Sequence, residues 1–463
     1  MNAVLIGVLV YVAAQLLIGL LVSRRIASEA DYLLAGRSLG LGLATFSMFA
    51  TWFGAETCIG SAGAFYEKGL SGGSSDPFGY TACLLLMGLF FAVPLWRRKL
   101  TTLADLFRHR YSTGVERLAV LIMAPTSVLW AAAQIRAFGQ VLNASSEIGV
   151  TLGITIAAAA VIIYTVSGGL LADVLTDLVQ GIAIIIGLVV LLFAVLQGTG
   201  GLTNVWSAID PERLKFFGGE RTSFLHVLQS WAVPICGSVV AQELVARVIA
   251  TRTPEIARRS ALWGGGLYLL IGLIPALIGL CGPALIPGLA NPEQVLPLVA
   301  QKHLSTFFYI LFAGALVSAI LSTVDSTLLA ASSLVSHNLI VPLNPRWSEA
   351  MKVRSARVGV VVFGVIAYGL ALQAESIFGL VESASAFGSA GIFIVVVFGL
   401  FTNIGGARSA FAALTVGLVV WLTGTYVADF RYAYLASLLA SLLAYLTIAF
   451  IEKKQPVPVP ESA

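Results

Sequence analysis

The sequence predicts an all-α polytopic membrane protein, on three observations. Of its 463 residues, 58% are hydrophobic and only 11% are charged, and the mean hydropathy is +0.93. Soluble domains carry about 25% charged residues, so this chain has too few charges to cover a water-exposed surface. Its long apolar runs, such as LVQGIAIIIGLVVLLFAVL, do not alternate with polar residues, and they therefore indicate helices rather than a β-barrel.

The apolar runs divide the chain into membrane spans. A helix needs about 20 apolar residues to cross a hydrocarbon core of about 30 Å. By that measure we predict about thirteen spans in one transmembrane domain over residues 1–451, followed by a disordered cytoplasmic tail over 452–463. The predicted spans cover residues 3–22, 42–66, 77–96, 118–142, 150–166, 173–197, 223–250, 260–280, 305–340, 358–374, 382–401, 409–428 and 433–451.

Basic residues concentrate in the loops after the first, third, seventh and ninth spans and at the end of the chain. Because cytoplasmic loops carry an excess of lysine and arginine, this pattern predicts an N terminus outside and a C terminus inside. The net charge of +4 comes mostly from these loops, so it indicates orientation and not nucleic-acid binding. The residues are Arg24, Arg25, Arg37, Arg97, Arg98, Lys99, Arg108, Arg110, Arg117, Arg252, Arg258, Arg259, Arg346, Lys352, Arg354, Arg357, Lys453 and Lys454.

Two spans contain residues that interrupt a helix. The second reads FATWFGAETCIGSAGAFYEKG, with several glycines around a polar Glu56–Thr57 pair, and the seventh reads SWAVPICGSVVAQELVAR, with Pro234 and Gly237 at mid-depth. Broken membrane helices are tolerated where they line a cavity, and transporters place their sites at such breaks. Breaks at corresponding positions predict an inverted five-plus-five repeat. Its halves are residues 42–197 and 223–401, with a leading helix over 3–22 and two trailing helices over 409–451.

The ninth span carries a polar face. At 100° per residue, Ser318, Ser322, Asp325 and Ser326 point the same way. A row of hydroxyls is also typical of helix packing in membranes. A buried carboxylate costs about 3 kcal/mol or more, so it marks a cation site or an ion pair. Oxygen ligands of these kinds, together with freed backbone carbonyls, suit a hard cation.

Other charges lie inside the predicted spans. Asp173 is assigned to the membrane interface, whereas Asp177, one turn deeper, is assigned to function. Glu243 is expected to pair with Arg247 near the inner surface. Arg136 either neutralises one of the acids or, if it faces the cavity, suits a carboxylate-bearing solute.

Three segments resemble the sodium:solute symporter family: TWFGAETCIGSAGAFYEKGLSG, GGLLADVLTDLVQG and ALVSAILSTVDSTLLAASSLVSHNL. The resemblance extends from DYLLAGRSLG at 31–40 to Phe401. The segments GYTACLLLMGLFFA, LWAAAQIRAFG and LVSAILSTVDSTLLAASS are most similar to the high-affinity choline transporter branch. The resemblance implies a LeuT-type fold with a leading extra helix, in the plasma (inner) membrane. It also implies symport, in which inward sodium flow drives solute uptake.

The resemblance also implies the sodium site, which in this fold lies between the unwound second span and the ninth. Its ligands would be the carbonyls of Ala50, Phe53 and Ala319 and the hydroxyls of Ser322 and Thr323.

Some family members bind a second sodium slightly deeper. By position, that site would use Asp177, Ser322, Asp325 and Ser326. The two carboxylates would either strengthen a second sodium site or let one acid hold a proton.

The choline branch places aromatic residues around its solute, and Trp52, Tyr80 and Trp130 match. Ring faces attract a quaternary ammonium by about 0.5–2 kcal/mol each. The match is incomplete, because Ala241 and Val381 replace aromatic residues, and we expect Trp231 to substitute from a turn away. Ordinary packing also explains such aromatics. The predicted solute site comprises Trp52, Thr57, Asp76, Tyr80, Trp130 and Glu382.

The leading hypothesis is a symporter for a choline-like or other amine-bearing solute, with a sodium- or proton-coupled carrier of proline-like amino acids or other polar solutes as the alternative. The expected partners are the solute, Na⁺ and the lipid bilayer, with no nucleic acid and no obligate protein partner. The sequence has no HExxH or GxSxG motif, which disfavours an enzyme, and no repeated pore filter, which disfavours a channel. The histidines are scattered near span ends: His109, His226, His303 and His337.

Overall fold

The computed structural model describes residues 26–73, 75–145, 148–216, 224–374 and 376–452, with a few single residues and pairs from 10 to 18 and residues 21–24. Most of the predicted leading helix over 3–22, and residues 453–463 of the predicted tail, lie outside the described residues. Within them the chain is helical, and its one β-bridge joins Leu39 to Thr251.

Seventeen helices of the described chain are numbered here in chain order. Shorter helical turns connect them. The helices are α1 (Glu29–Leu34), α2 (Leu41–Trp52), α3 (Ala62–Lys68), α4 (Ser75–Arg97), α5 (Ala104–Arg110), α6 (Thr113–Ser145), α7 (Val150–Thr199), α8 (Phe224–Ala232), α9 (Gln242–Ile249), α10 (Pro254–Leu285), α11 (Val295–His303), α12 (Thr306–Val335), α13 (Glu349–Gln373), α14 (Ile377–Ala386), α15 (Ser389–Phe401), α16 (Ala407–Tyr426) and α17 (Ala433–Ile451).

Many of these helices are long and apolar enough to cross a membrane. In the described part of the chain there are 8 such helices, or 10 if each of two bent pairs counts as one span. The chain is therefore a multi-pass membrane protein. The first bent pair, Phe224–Gly237 with Gln242–Ile249, turns by 44° and contains the predicted break in the seventh span. The second, Gly379–Ala386 with Ser389–Phe401, turns by 41° and was not predicted.

The fifth and sixth predicted spans both lie in α7, and Gly169 separates them. Gly169 has φ 57°, a left-handed conformation that side-chain-bearing residues rarely adopt. A Cβ at this position would lie 2.5 Å from the carbonyl oxygen of Tyr32, so no other residue fits without a shift. The helix therefore changes direction here, between the predicted spans 150–166 and 173–197.

The loops with most of the basic residues meet at one end of the bundle, called the basic end below. Arg37 donates to the carbonyls of Lys99 and Leu100, and Arg98 donates to that of Leu400. The loops after the first, third and eleventh predicted spans are thus in contact. The basic end comprises residues 35–40, 97–112, 250–253 and 402–406.

Asp105 ties the basic end together. Its carboxylate accepts hydrogen bonds from the amides of Thr101 and Thr102 and from the side chain of Asn338, at 2.8–3.1 Å. Burial alone would raise the pKa of Asp105, but hydrogen bonds from His337 and the two amides outweigh it and lower the pKa to about 2. The carboxylate therefore stays ionised and links the loop before α5 to the segment after α12.

Glu452, the first residue of the predicted disordered tail, is bonded to the helical bundle. Its carboxylate accepts hydrogen bonds from the backbone amides of Gly406, Arg408 and Ser409 at 2.8, 3.1 and 3.3 Å. It thereby caps the N terminus of α16, where free amides and the helix dipole favour a negative charge. Burial acts to raise the pKa of Glu452, but these bonds and one from the Ser409 hydroxyl lower it.

We predict that Glu452→Gln lowers the free energy of unfolding by about 1 kcal/mol, the usual size of a capping interaction. Because the folded-state pKa is lowered, the difference from wild type is present near neutral pH and fades as the pH falls through that pKa. Thermal unfolding in detergent at several pH values measures it. Glu67→Gln, an exposed change beside Lys68, is the matched control. An equal loss in both variants would contradict the cap.

Candidate functional site

The second predicted span is broken at Phe53–Ala55. Helix α2 ends at Trp52, Phe53 leaves the helical region with φ −82° and ψ 69°, and a wide π-helical turn follows over Glu56–Ser61. A Cβ at Gly54 would lie 2.6 Å from the Thr323 hydroxyl oxygen. Glycine is therefore what lets the break approach α12 so closely.

Gln134 on α6 supports the break beside Thr323. Its Oε1 accepts a hydrogen bond from the amide of Ala55 at 2.9 Å. A Cβ at Gly54 would lie 2.9 Å from the same atom. A backbone amide freed inside a membrane needs such a partner, because water is absent. Sequence reasoning missed Gln134, although a buried glutamine in an apolar helix is a signal that could have found it.

The polar face of α12 points into the protein and not toward lipid. Ser318, Ser322, Asp325 and Ser326 are all at most 2% exposed. Thr323 lies against the break, as its approach to Gly54 shows. The structure thus places the α12 members of the predicted sodium set opposite the α2 members, which are Ala50 and Phe53.

Asp177 accepts hydrogen bonds from both α2 and α12. Ser47 on α2 donates to its carboxylate at 2.5 Å, and Ser322 on α12 donates to the other oxygen. Both serines and Asp177 are fully buried. One carboxylate therefore fixes α2 to α12 one turn before the break.

Arg247 departs from the sequence-based expectation. It was expected to pair with Glu243, but its Nη2 atom donates to Asp173 at 2.8 Å and to Asp177 at 3.1 Å. It reaches Glu243 only at the backbone carbonyl. Asp173, which was assigned to the membrane interface, is only 5% exposed and is part of the ion pair. The turn between Gly237 and α9 directs Arg247 inward.

Asp325 has a different partner from Asp177. It accepts a hydrogen bond from the Thr165 hydroxyl, which lies before the Gly169 break. The hydroxyl of Ser326, the next residue, instead accepts a hydrogen bond from Arg247 Nη2 at 2.5 Å and donates one to the carboxylate of Asp173. Asp173 and Asp177 therefore share the Arg247 guanidinium, and the predicted convergence of Asp177 with Asp325 stays a prediction.

The three predicted cage aromatics do come together. The ring centroids of Trp52 and Trp130 are 4.7 Å apart, those of Trp52 and Tyr80 5.7 Å, and those of Tyr80 and Trp130 6.2 Å. All three are at most 3% exposed and pack on one another. Trp231 does not join them, because it stacks on Phe78 at 6.3 Å. The proposed substitution by Trp231 is therefore wrong.

The carboxylate of Asp76 is hydrogen-bonded to neighbouring side chains. Its carboxylate accepts hydrogen bonds from Thr57 at 2.8 Å and from Tyr268 at 2.9 Å. The Ser61 hydroxyl donates to its backbone carbonyl. These bonds attach the π-helical turn after the break to the start of α4 and to α10.

A cavity of about 160 Å³ adjoins the aromatic cluster. Glu56, Tyr80 and Glu382 line it, with Lys68 and His226 at its outer part. A second cavity of about 230 Å³ shares Glu382 and reaches the loop between α16 and α17. The loop between α16 and α17 lies away from the basic end, so the second cavity lies toward the opposite end of the bundle. Drug-sized ligands occupy about 300–1,000 Å³, so the first cavity suits a smaller solute.

Two glutamates, Glu56 and Glu382, line this cavity, and Glu56 was not among the site residues predicted from the sequence. Glu56 is 4% exposed, and the carboxylates of Asp76 and Glu382 are close enough to interact with it electrostatically. The position of Glu56 just after a helix break is the sequence signal that could have identified it. Arg136 does not line this cavity.

Trp130 also lines a small cavity of about 20 Å³, together with Ala241 and Glu243 among others. In the described part of the chain, no group of three or more His, Cys, Asp or Glu side chains could hold a metal ion.

Comparison with known proteins identifies the family. A model of the sodium:solute symporter family matches residues 32–417. High-affinity choline transporter 1 of Caenorhabditis elegans is 28% identical over 383 residues, which are 77% of this chain and 66% of that protein. The sodium/pantothenate symporter of Escherichia coli is 27% identical over 433 residues, which are 90% and 89%. The chain spans about two thirds of the length of the choline transporter.

A solved structure shows the fold. The substrate-bound outward-open state of a Na⁺-coupled sialic acid symporter superposes with a TM-score of 0.85 at 20% identity, over 97% of this chain and 98% of that one. The predicted LeuT-type fold is thereby confirmed. Because the family model matches most of the chain, this protein belongs to the sodium:solute symporter family.

Proposed function

We propose that this protein is a sodium-coupled symporter that imports a small organic cation, choline-like or otherwise amine-bearing, by alternating access. One observation carries the proposal. The break at Phe53–Ala55 has buried hydroxyls of α12 on one side and an acidic, aromatic cavity on the other. A single backbone segment thus adjoins both a cation seam and a solute cavity.

Sodium is assigned to the seam between α2 and α12. Its ligands are the carbonyls of Ala50, Phe53 and Ala319 and the hydroxyls of Ser322 and Thr323. Carbonyl and hydroxyl oxygens are typical ligands of a hard monovalent cation at a broken membrane helix. The close approach of Thr323 to Gly54 supports this assignment.

The solute is assigned to the cavity beside Tyr80. Glu56 and Glu382 line this cavity with carboxyl groups that favour a cation, and the ring of Tyr80, which also lines it, adds cation–π attraction. Trp52 packs against Tyr80, with the ring centroids 5.7 Å apart. The indole nitrogen of Trp52 is buried and, among the described residues, has no hydrogen-bond partner. An oxygen on the solute would satisfy it. The solute set also includes Thr57, Asp76 and Trp130, which hold and flank these groups.

The topology follows from the same proposal. We assign thirteen spans in the plasma (inner) membrane, with the basic end inside, the N terminus outside and the C terminus inside. The repeats are residues 42–197 and 223–401. Each sodium ion crossing 100 mV inward supplies about 2.3 kcal/mol for uptake of the solute. The contacts at the basic end support a common side for these loops.

We predict that Thr323→Val weakens sodium binding about tenfold, because a lost ligand of roughly 1–1.5 kcal/mol has that effect. Thermal stability of the purified protein is titrated with NaCl against KCl at constant ionic strength. Thr327→Val is the matched control: it is a buried threonine one turn away, and its hydroxyl bonds only to carbonyls of its own helix in the described structure. Equal sodium responses in both variants would remove the assigned site.

We predict that Glu56→Gln and Glu382→Gln each lower uptake of a cationic solute about tenfold at low solute concentration, because a carboxylate near the cation is lost. Proteoliposomes with an inward sodium gradient are tested with choline, pantothenate and proline. Glu67→Gln, which changes an exposed acid outside the cavity, should transport normally. Sodium-driven uptake of pantothenate or proline but not choline would refute the cationic solute and leave sodium coupling intact.

A further inference from the structure

A surface cleft lies beside the first turns of α13, away from the aromatic cluster. Its cavity has a volume of about 350 Å³, which is larger than either cavity lined by Glu382. The segment between α12 and α13 lines it with Ile340 and Trp347. Asn338 in the same segment bonds to Asp105 at 2.9 Å, so the cleft lies next to the basic end.

The α13 wall of the cleft is polar at one end and apolar at the other. Arg354 and Ser355 line the part nearer the start of the helix, and Val358, Val362 and Phe363 line the part that follows. Their spacing places these residues on one face of the helix. From Arg354 to Phe363 a helix rises about 14 Å, which is close to half of a hydrocarbon core of about 30 Å. The cleft is therefore about as deep as one leaflet of a bilayer.

The apolar part of the cleft is open at the protein surface. Val358 is 55% exposed and Val362 is 48% exposed. Because α13 is long and apolar enough to cross a membrane, exposed valines on it contact acyl chains rather than water. The cleft is thus continuous with the lipid of the leaflet at the basic end.

Arg354 is an unpaired cation at the polar end of this cleft. Within the described residues, its exposed guanidinium forms no hydrogen bond or ion pair. The neighbouring cations are engaged, because Lys352 bonds to Glu349 at 2.7 Å and Arg357 lies over the ring of Tyr32 at 5.7 Å. A basic side chain near the membrane surface attracts anionic lipids. Arg354 therefore complements a negatively charged head group.

We propose that this cleft is a binding site for one anionic phospholipid from the leaflet at the basic end. Its phosphate pairs with Arg354, and one acyl chain lies against Val358 and Val362. Trp347 packs at the level of the head group, where tryptophan is common in membrane proteins. A zwitterionic lipid carries its own ammonium, so it gains less from a single arginine. The inference is independent of sodium coupling and of the transported solute.

Native mass spectrometry of the purified full-length protein tests this site, with phosphatidylglycerol and phosphatidylcholine of the same acyl chains as probes. Wild type is expected to bind the first phosphatidylglycerol about fivefold more tightly than phosphatidylcholine, the effect of one arginine near the membrane surface. Arg354→Gln is expected to abolish this preference without changing the affinity for phosphatidylcholine, and Arg354→Lys is expected to keep it.

Arg259→Gln is the matched control. Arg259 is also an exposed arginine near the start of a membrane helix, α10, and within the described residues it forms no hydrogen bond or ion pair. It does not line the cleft, so its substitution should leave the lipid preference unchanged. Equal affinities of wild type for the two lipids, or an equal loss of preference in Arg354→Gln and Arg259→Gln, would overturn the proposal.

A second variant tests the apolar part of the site. Val362→Trp fills the cleft from an exposed position, so the protein is expected to fold and to bind both lipids at least fivefold more weakly. Unchanged lipid binding in this variant would place the lipid outside the cleft. Dimers of the wild type that dissociate on Val362→Trp would assign the cleft to a second copy of the chain, and would likewise refute the lipid site.

Discussion

The absence of water in a bilayer makes the break at Phe53–Ala55 the feature on which the rest of the site depends. A helix interrupted at mid-depth releases amides and carbonyls that lipid cannot satisfy. Gln134 takes the amide of Ala55, and the hydroxyl of Thr323 approaches Gly54. The released carbonyls need a cation or another donor. The family's combination of a broken helix and a hydroxyl face is therefore one structural solution, with each half requiring the other.

The same break joins the two assigned binding sites. Trp52 and Phe53 are adjacent, one contributing a ring to the aromatic cluster and the other a carbonyl to the sodium seam. Beyond the break, Thr57 and Tyr268 hold Asp76, so the segment is anchored on both sides. A change in the backbone at Phe53 would thus move the ring of Trp52. The assigned ion and solute sites can therefore be coupled through two adjacent residues.

Features set by local sequence were predicted well from the sequence, and tertiary partners were not. Glycine and proline patterns located the breaks in the second and seventh spans, and helical periodicity located the buried face of α12. The aromatic trio also came together as expected. Arg247 was misassigned because its position near the end of a span suggested a neighbour on its own helix. The turn before α9, which periodicity does not reveal, directs it to Asp173 and Asp177 instead. Ser322 and Asp325 share a face of α12 and both meet α7, but on opposite sides of Gly169, because Ser322 bonds to Asp177 and Asp325 bonds to Thr165.

The assigned sodium seam and the solute cavity meet at one backbone segment, and this arrangement implies an order of binding. Asp173 and Asp177 already bond to Arg247, whereas Glu56 and Glu382 line a cavity. Sodium at the seam would fix the carbonyl of Phe53 and, through the next peptide, the position of Trp52. A solute that binds afterwards meets a ring already in place and pays less ordering entropy than one that binds first. Sodium is therefore expected to increase solute affinity, and by reciprocity the solute increases sodium affinity by the same factor.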